Sequence, residues 1–421
     1  MFLNDEEKRM LDGQYGPGCS MAMSLLKRFG EAFDAEKMVK ANLVHISTSL
    51  PIDLLEEMTE GLERFKTSCS LHAMFNPKDW KEKYGITLID GYQKSGGIIS
   101  DDSEIYERLR IFKRLHAIPI LTCLPYTVGV VPRQGDTFLA TGSSGQVAAN
   151  SIFGARAGRE SASTALAAAV TGVTPYMGLL KKENRFAEMF IKIHGIDFDE
   201  FSEADYGTLG YCIGHIAQTK NVVIDGLPMN LSVEQCKFLT SPLPVSGACT
   251  MCHIVGVTPE APTLEAALGG KKPKEKVEIG KKDLEEARQN FLTNATDRDV
   301  DLVVIGCPHC FISELAEIAS LLSGKRIHQN TRFVVGVSDA TNTVAREAGY
   351  TRILEDAGVM VTNCCMTGLN PLIYLDDVET VATNTSRGAH YIQRLTGGKD
   401  KTWYGSTKEC VQAAVSGKWG I

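Results

Sequence analysis

The sequence predicts an α/β protein of more than one domain built on parallel sheets, and three observations carry that prediction. Residues 301–391 repeat a rhythm in which short apolar strands alternate with helical segments at the spacing of βαβ units. Two of these strands, Asp301-Leu-Val-Val-Ile305 and Gly358-Val-Met-Val361, lead into Gly306-Cys307-Pro308-His309-Cys310 and Asn363-Cys364-Cys365-Met366. Open parallel sheets bind ligands just beyond the carboxyl ends of their strands, so both cysteine strings stand where ligands are held. With 421 residues, 43% of them apolar, the chain is too long for one ordinary core.

Taken in order, the helical spacing of Met21, Met23, Leu25, Leu26, Phe29 and Phe33 opens an α/β unit whose first strand is Asn42–Ile46. Ile118–Leu121 reads as a strand feeding Thr122-Cys123-Leu124-Pro125. Pro119 and Pro125 bracket the cysteine and forbid a continuing helix or central strand, so Cys123 sits on a turn, like Cys307 and Cys365. Small residues dominate 141–145 and 154–158 on either side of Ala148-Ala149-Asn150-Ser151. They permit close approach of backbone to an anion, or simply tight helix packing. Ser163–Val170 is an alanine-rich buried helix and Asn221–Asp225 another strand. Residues 263–282 are rich in Gly, Lys and Pro and read as a linker between an N-terminal α/β region, 1–262, and a C-terminal α/β domain, 283–421, that carries Cys307 and Cys365. Asp283 with Glu286 offers a capping box for the next helix. Strands at 301–306, 332–337, 358–361 and 378–383 then alternate with helices from Ser313 and Ala340.

The formal charge of −7 is spread over mixed-sign segments, and the one basic concentration, 271–276, is interrupted by Pro273 and Glu275, which argues against a nucleic-acid partner. Twelve cysteines are too sparse for a disulfide scaffold in a chain of this length, the N-terminus is acidic rather than signal-like, and no uninterrupted apolar run reaches membrane length. A cytoplasmic enzyme is the expectation.

Three separated cysteines at strand ends suit an iron–sulfur cluster with three protein ligands, which leaves one iron open to substrate oxygens. The plainer alternative is that Cys123, Cys307 and Cys365 are small buried hydrophobes. Cys249 and Cys252 with Cys307 and Cys310 compose a weaker, zinc-type alternative. His309, in the same turn as Cys307, can polarise a leaving hydroxyl or cap the following helix. Arg156 and Arg185 can fork onto a substrate carboxylate or form surface ion pairs. Ser143 and Ser144 are candidates for acid/base work, or plain loop residues. No Walker loop, Rossmann fingerprint or HExxH string occurs.

Together these strings resemble a known family. Thr122-Cys-Leu-Pro-Tyr126, Ala149-Asn-Ser151 with Gly154-Ala-Arg156, Thr171-Gly-Val-Thr-Pro175, Glu183-Asn-Arg185, Gly256-Val-Thr-Pro-Glu-Ala-Pro262, Gly306-Cys-Pro-His309 and Arg387-Gly-Ala-His-Tyr391 are similar to motifs of the large catalytic subunit of the aconitase X family, nearly end to end. The resemblance implies an aconitase-like three-layer α/β fold without the small swivel domain. It also implies a hydro-lyase that dehydrates a small hydroxy acid, such as mevalonate 5-phosphate or cis-3-hydroxy-L-proline, together with a small swivel subunit. The implied cofactor is an iron–sulfur cluster, 4Fe-4S first, with 2Fe-2S or mononuclear iron as alternatives. The implied ligands are Cys123, Cys307 and Cys365, with Cys364 the alternative to Cys365. Asn150, Ser151, Arg156, Arg185 and Arg387 fall on candidate substrate-binding positions. Three departures stand out. Gly142 replaces a glutamate before Ser143-Ser144, Leu71–Asn76 replaces a more polar stretch, and Arg387 replaces a lysine. The lost carboxylate keeps a second reading open, a non-catalytic iron–sulfur or sensor protein of the same fold.

Overall fold

The computed structural model describes residues 1–73, 80, 83–85, 102–366 and 371–420. Three parallel sheets are each built from a separate stretch of the chain. The first has Ser68–Leu71, Leu43–Ile46, Thr137–Ala140 and Arg156–Arg159 in that spatial order. The second runs Glu275–Ile279, Met189–Ile193, Val222–Asp225, Cys252–Ile254. The third runs Met360–Thr362, Arg332–Gly336, Leu302–Ile305, Thr380–Thr383, Lys401–Tyr404. Central strands such as Leu302–Ile305 and Thr380–Thr383 are buried at every residue, as parallel strands covered on both faces must be. The alanine-rich helix observed at Ala162–Thr171 is buried from Thr164 onward, and its small side chains share one core with helix Pro17–Ala32.

Two expectations change. The strand anticipated at 118–121 shrinks to a single parallel bridge from Ile118 to Ser70, because Pro119 has no N–H to extend the ladder. Residues 263–282 hold more than a connection: Glu275–Ile279 pairs in full register with Met189–Ile193 as the edge strand of the second sheet. The Lys and Glu residues that suggested a linker are the exposed charges of that edge, while Ile279 points into the core. Asp283 is the third residue of helix Lys281–Ala287 rather than its cap, and its carboxylate accepts from the Gly280 N–H at 2.8 Å. Among the described residues no helix is long and apolar enough to cross a membrane.

The carboxyl ends of the first and third sheets face one another. Strands of the first end at His72 and at Thr141-Gly142-Ser143, and strands of the third end at Cys307, at Cys365 and at Thr385–Arg387. The second sheet lies behind, joined to the third by the buried ion pair of Lys237 with Glu314 and by a 2.8 Å bond from Ser386 Oγ to the Gly207 carbonyl.

Candidate active site

Cys123 is positioned from below by His45 in the first sheet. His45 Nε2–H donates to the Thr122 carbonyl at 2.9 Å, and Nδ1 faces Ser70 Oγ at 2.9 Å. Both ring nitrogens are satisfied by a neutral imidazole, and burial, helped by nearby His72, pushes its pKa down to about 3. From the opposite side the His309 N–H donates to Cys123 Sγ at 3.3 Å, which seats the Cys307 turn of the third sheet directly on the Cys123 turn.

A pair of glycines brings in the third cysteine. A side chain at Gly306 would lie 2.4 Å from the Gly336 carbonyl oxygen, and one at Gly336 would lie 2.1 Å from Met366 Cγ. The ends of neighbouring strands therefore close on each other, and Met366 fills the room left at Gly336, drawing the Cys365 turn beside Cys307. Of the two adjacent cysteines, Cys364 is fully buried in the core and its thiol donates to the Cys365 carbonyl at 3.5 Å, whereas Cys365 is half-buried at the site.

Burial pushes the Cys123 thiol up to about 12; the His309 N–H opposes that, Cys307 and Cys365 add to it, and Arg387 counters it. Arg387 shows the reverse side of the same field. Burial works against its charge, but Tyr391 and the three thiols turn the net shift upward. A thiol held as high as that of Cys123 is a poor nucleophile at neutral pH and surrenders its proton chiefly to a metal. Among the described residues no three His, Cys, Asp or Glu side chains are close enough to share one metal ion. Cysteine thiols are the donor chemistry of an iron–sulfur cluster, which Cys123, Cys307 and Cys365 would hold. His309 adds an orphan: its Nε2–H is spent on the Cys364 carbonyl at 3.0 Å, leaving Nδ1 buried without a partner among the described residues.

Of the other expected residues, Ser143 and Arg387 are brought to the cysteines. Arg387 Nη2 donates to Ser143 Oγ and Nη1 to the Ser241 carbonyl, each at 3.2 Å, and the guanidinium lies over the Tyr391 ring. Ser144 is buried in the first turn of helix Ser143–Ser151. Asn150, Ser151 and Arg185 are not free for a substrate. Asn150 bonds the Ala157 N–H, the Ala157 and Thr250 carbonyls and Arg185. Ser151 Oγ accepts from the Cys252 N–H at 2.9 Å. Arg185 commits its N–H groups to Glu260, Asn150 and the Leu179 and Ala155 carbonyls. Arg156 is not brought to the cysteines either. It is the first residue of its strand, at the amino end of the first sheet, away from the edge that carries Ser143, and it faces a separate cavity with Lys182 and Glu260. Cys249 and Cys252 pack in the second core and Cys310 in the third, apart from one another.

Sequence reasoning passed over His45 and His72. The available signal was their place in one parallel pair, His45 opposite Ser70 and His72 one residue past the strand end at Leu71.

Models of the aconitase X first, second and third domains match residues 1–183, 187–289 and 300–416. The phosphomevalonate dehydratase large subunit of Methanocaldococcus jannaschii is 31% identical over 98% of this chain and 100% of that one. The cis-3-hydroxy-L-proline dehydratase of Pseudomonas aeruginosa is 28% identical over 98% of this chain and 70% of that protein. The crystal structure of Thermococcus kodakaraensis aconitase X in its holo-form has the same fold, with a TM-score of 0.81 over 98% of this chain and 100% of that one at 24% identity. The chain belongs to the aconitase X family.

Proposed function

We propose that this protein is the catalytic core of an iron–sulfur hydro-lyase that dehydrates a small hydroxy acid and works with a small swivel subunit in the cytoplasm. The observation that carries the reading is the meeting of Cys123, Cys307 and Cys365, from two sheets, around the single guanidinium of Arg387. Relatives named as phosphomevalonate and cis-3-hydroxy-L-proline dehydratases support the reaction class, and "large subunit" in several of those names supports a small partner.

In this reading Cys123, Cys307 and Cys365 hold the cluster, and when bound it supplies a Lewis acid for the substrate hydroxyl. The chain's own residues do the rest. Arg387 pairs with the substrate carboxylate, because a planar fork matches two carboxylate oxygens and a buried pair resists competition from water. Ser143, bonded to Arg387, orients that fork. A base then removes the proton on the carbon next to the leaving hydroxyl. Closure by the small subunit excludes water from the cleft.

The test is anaerobic purification with iron analysis, followed by assay with the small subunit on mevalonate 5-phosphate, cis-3-hydroxy-L-proline and related hydroxy acids. Iron should be present, Cys123→Ala, Cys307→Ala and Cys365→Ala should each remove most of it, and Cys249→Ala and Cys252→Ala should not. Gly142, where the family resemblance leads one to expect a carboxylate, favours the non-catalytic reading. An iron-loaded complex that turns over no hydroxy acid would establish that reading, and zinc in place of iron would overturn the ligand set.

A further inference from the structure

The space that a side chain at position 142 would occupy is already filled. A Cβ built on Gly142 would lie 2.6 Å from His72 Nε2 and 2.7 Å from His72 Cδ2, so the imidazole rests against the bare backbone that opens helix Ser143–Ser151. Gly142 and His72 are thus one feature: a residue without a side chain, and in its place a ring from a strand end of the same sheet; residues 74–76 of the departing stretch lie outside the described residues.

The ring's orientation is fixed. His72 Nδ1 lies 3.0 Å from the Ala73 carbonyl, which can only accept, so Nδ1 carries the proton and Nε2 is left with its lone pair. The Nε2–Cδ2 edge of the ring lies against Gly142, next to Ser143, whose hydroxyl accepts from Arg387. Among the described residues the groups around it are His45, with ring centroids 5.5 Å apart, and, within electrostatic range, Arg387 and His309. Burial, with a smaller contribution from Arg387, lowers the His72 pKa, so the ring is a neutral imidazole at neutral pH. Among the described residues nothing donates to His72 Nε2, and the ring stands within electrostatic range of the guanidinium proposed as the carboxylate anchor.

We infer that His72 is the proton-transfer base of the dehydration, standing in the place left by the side chain at position 142. The assignment rests on the dehydratase reading above. In the step, the C–H bond next to the substrate carboxylate breaks and its proton goes to His72 Nε2. The C–H electron pair becomes the new C=C bond, the C–O bond breaks, and hydroxide leaves. The imidazolium then releases its proton, which with the hydroxide makes one water, so no oxidant or reductant is consumed.

The test uses the full chain assembled with iron and its small subunit. His72→Gln should lower kcat by about 10²–10⁴-fold, the usual contribution of a positioned base, with KM and iron content unchanged. In the metal-free chain, Gly142→Glu should lower the melting temperature because the new side chain meets the ring, and adding His72→Ala should restore it. The double variant, with a carboxylate back in that space, should recover turnover that His72→Ala alone lacks. A His72→Gln enzyme with wild-type kcat would overturn the assignment and put the base on the small subunit. A metal-free Gly142→Glu chain as stable as wild type would overturn the placement. Wild-type enzyme without turnover sinks the dehydratase reading and this assignment with it, whereas turnover that survives loss of the imidazole sinks the assignment alone.

Discussion

Arg387 and Arg156 are chemically the same side chain, and their surroundings give them opposite prospects. Both are half-buried, but Arg387 stands among three thiols and a serine hydroxyl, and Arg156 at the far end of a strand. Truncating Arg387 to alanine should weaken substrate binding or the transition state by about 2–5 kcal/mol with iron content intact, and Arg387→Lys should recover only part of it because the ammonium cannot fork. Arg156→Ala should change kcat/KM by less than about 0.5 kcal/mol, as substitutions away from a site do. Steady-state kinetics of the assembled enzyme decide the matter, and a catalytic defect at Arg156 with normal Arg387→Ala kinetics would reverse the assignment. The cysteines were legible in the sequence because each follows an apolar run that ends in a turn. The arginines were not, because local sequence does not reveal which end of a four-residue strand faces the site, nor that Glu260, far along the chain, claims Arg185.

At the scale of elements, the site is held by polar clamps between sheets. Asn150 sits near the end of helix Ser143–Ser151 and joins Arg185, which pairs with Glu260 beyond the second sheet. The Arg185 side chain is 2% exposed, so removing its partner strands a buried charge. Glu260→Ala should destabilise the protein by about 3–5 kcal/mol, read as a shift in the denaturant midpoint. A variant as stable as wild type would mean that the two backbone carbonyls and Asn150 suffice for Arg185. The same clamp explains why small residues surround 148–158. The helix must come close enough to the next strand for Asn150 to bond both the Ala157 N–H and its carbonyl. Sequence showed the small residues, but either an anion cradle or close packing accounted for them, and only the partners of Asn150 separate the two.

For the whole molecule, acid is the expected weakness. The folded protein holds His45 neutral down to about pH 3, while an unfolded chain protonates it near 6.5. Below 6.5 the unfolded state therefore binds the extra proton. The stability from keeping His45 neutral is complete above that pH and declines as pH falls toward 3, by on the order of 4–5 kcal/mol over the full range. Denaturant midpoints measured from pH 7.5 to 4.5 should fall on the acid side, and His45→Gln should flatten the fall. A profile that His45→Gln leaves unchanged would mean that other groups govern it. The three-sheet architecture was legible only in its last third, where strands and helices alternate regularly. Of the second sheet only Asn221–Asp225 was read as a strand, and its edge strand, Glu275–Ile279, was hidden in the Gly-, Lys- and Pro-rich stretch that looked like a linker.

Cys123, Cys307, Cys365 and Arg387 come from widely separated parts of the chain, and this bears on how the protein is made. Cys123 is synthesised first, the Cys307 turn that covers it and the Cys365 turn beyond follow much later, and Arg387 later still. Until then Cys123 stands uncapped, without the His309 N–H and without its two partners. A group held by all three thiols would therefore enter only a chain whose Cys307 and Cys365 turns have been made and whose first and third sheets have met.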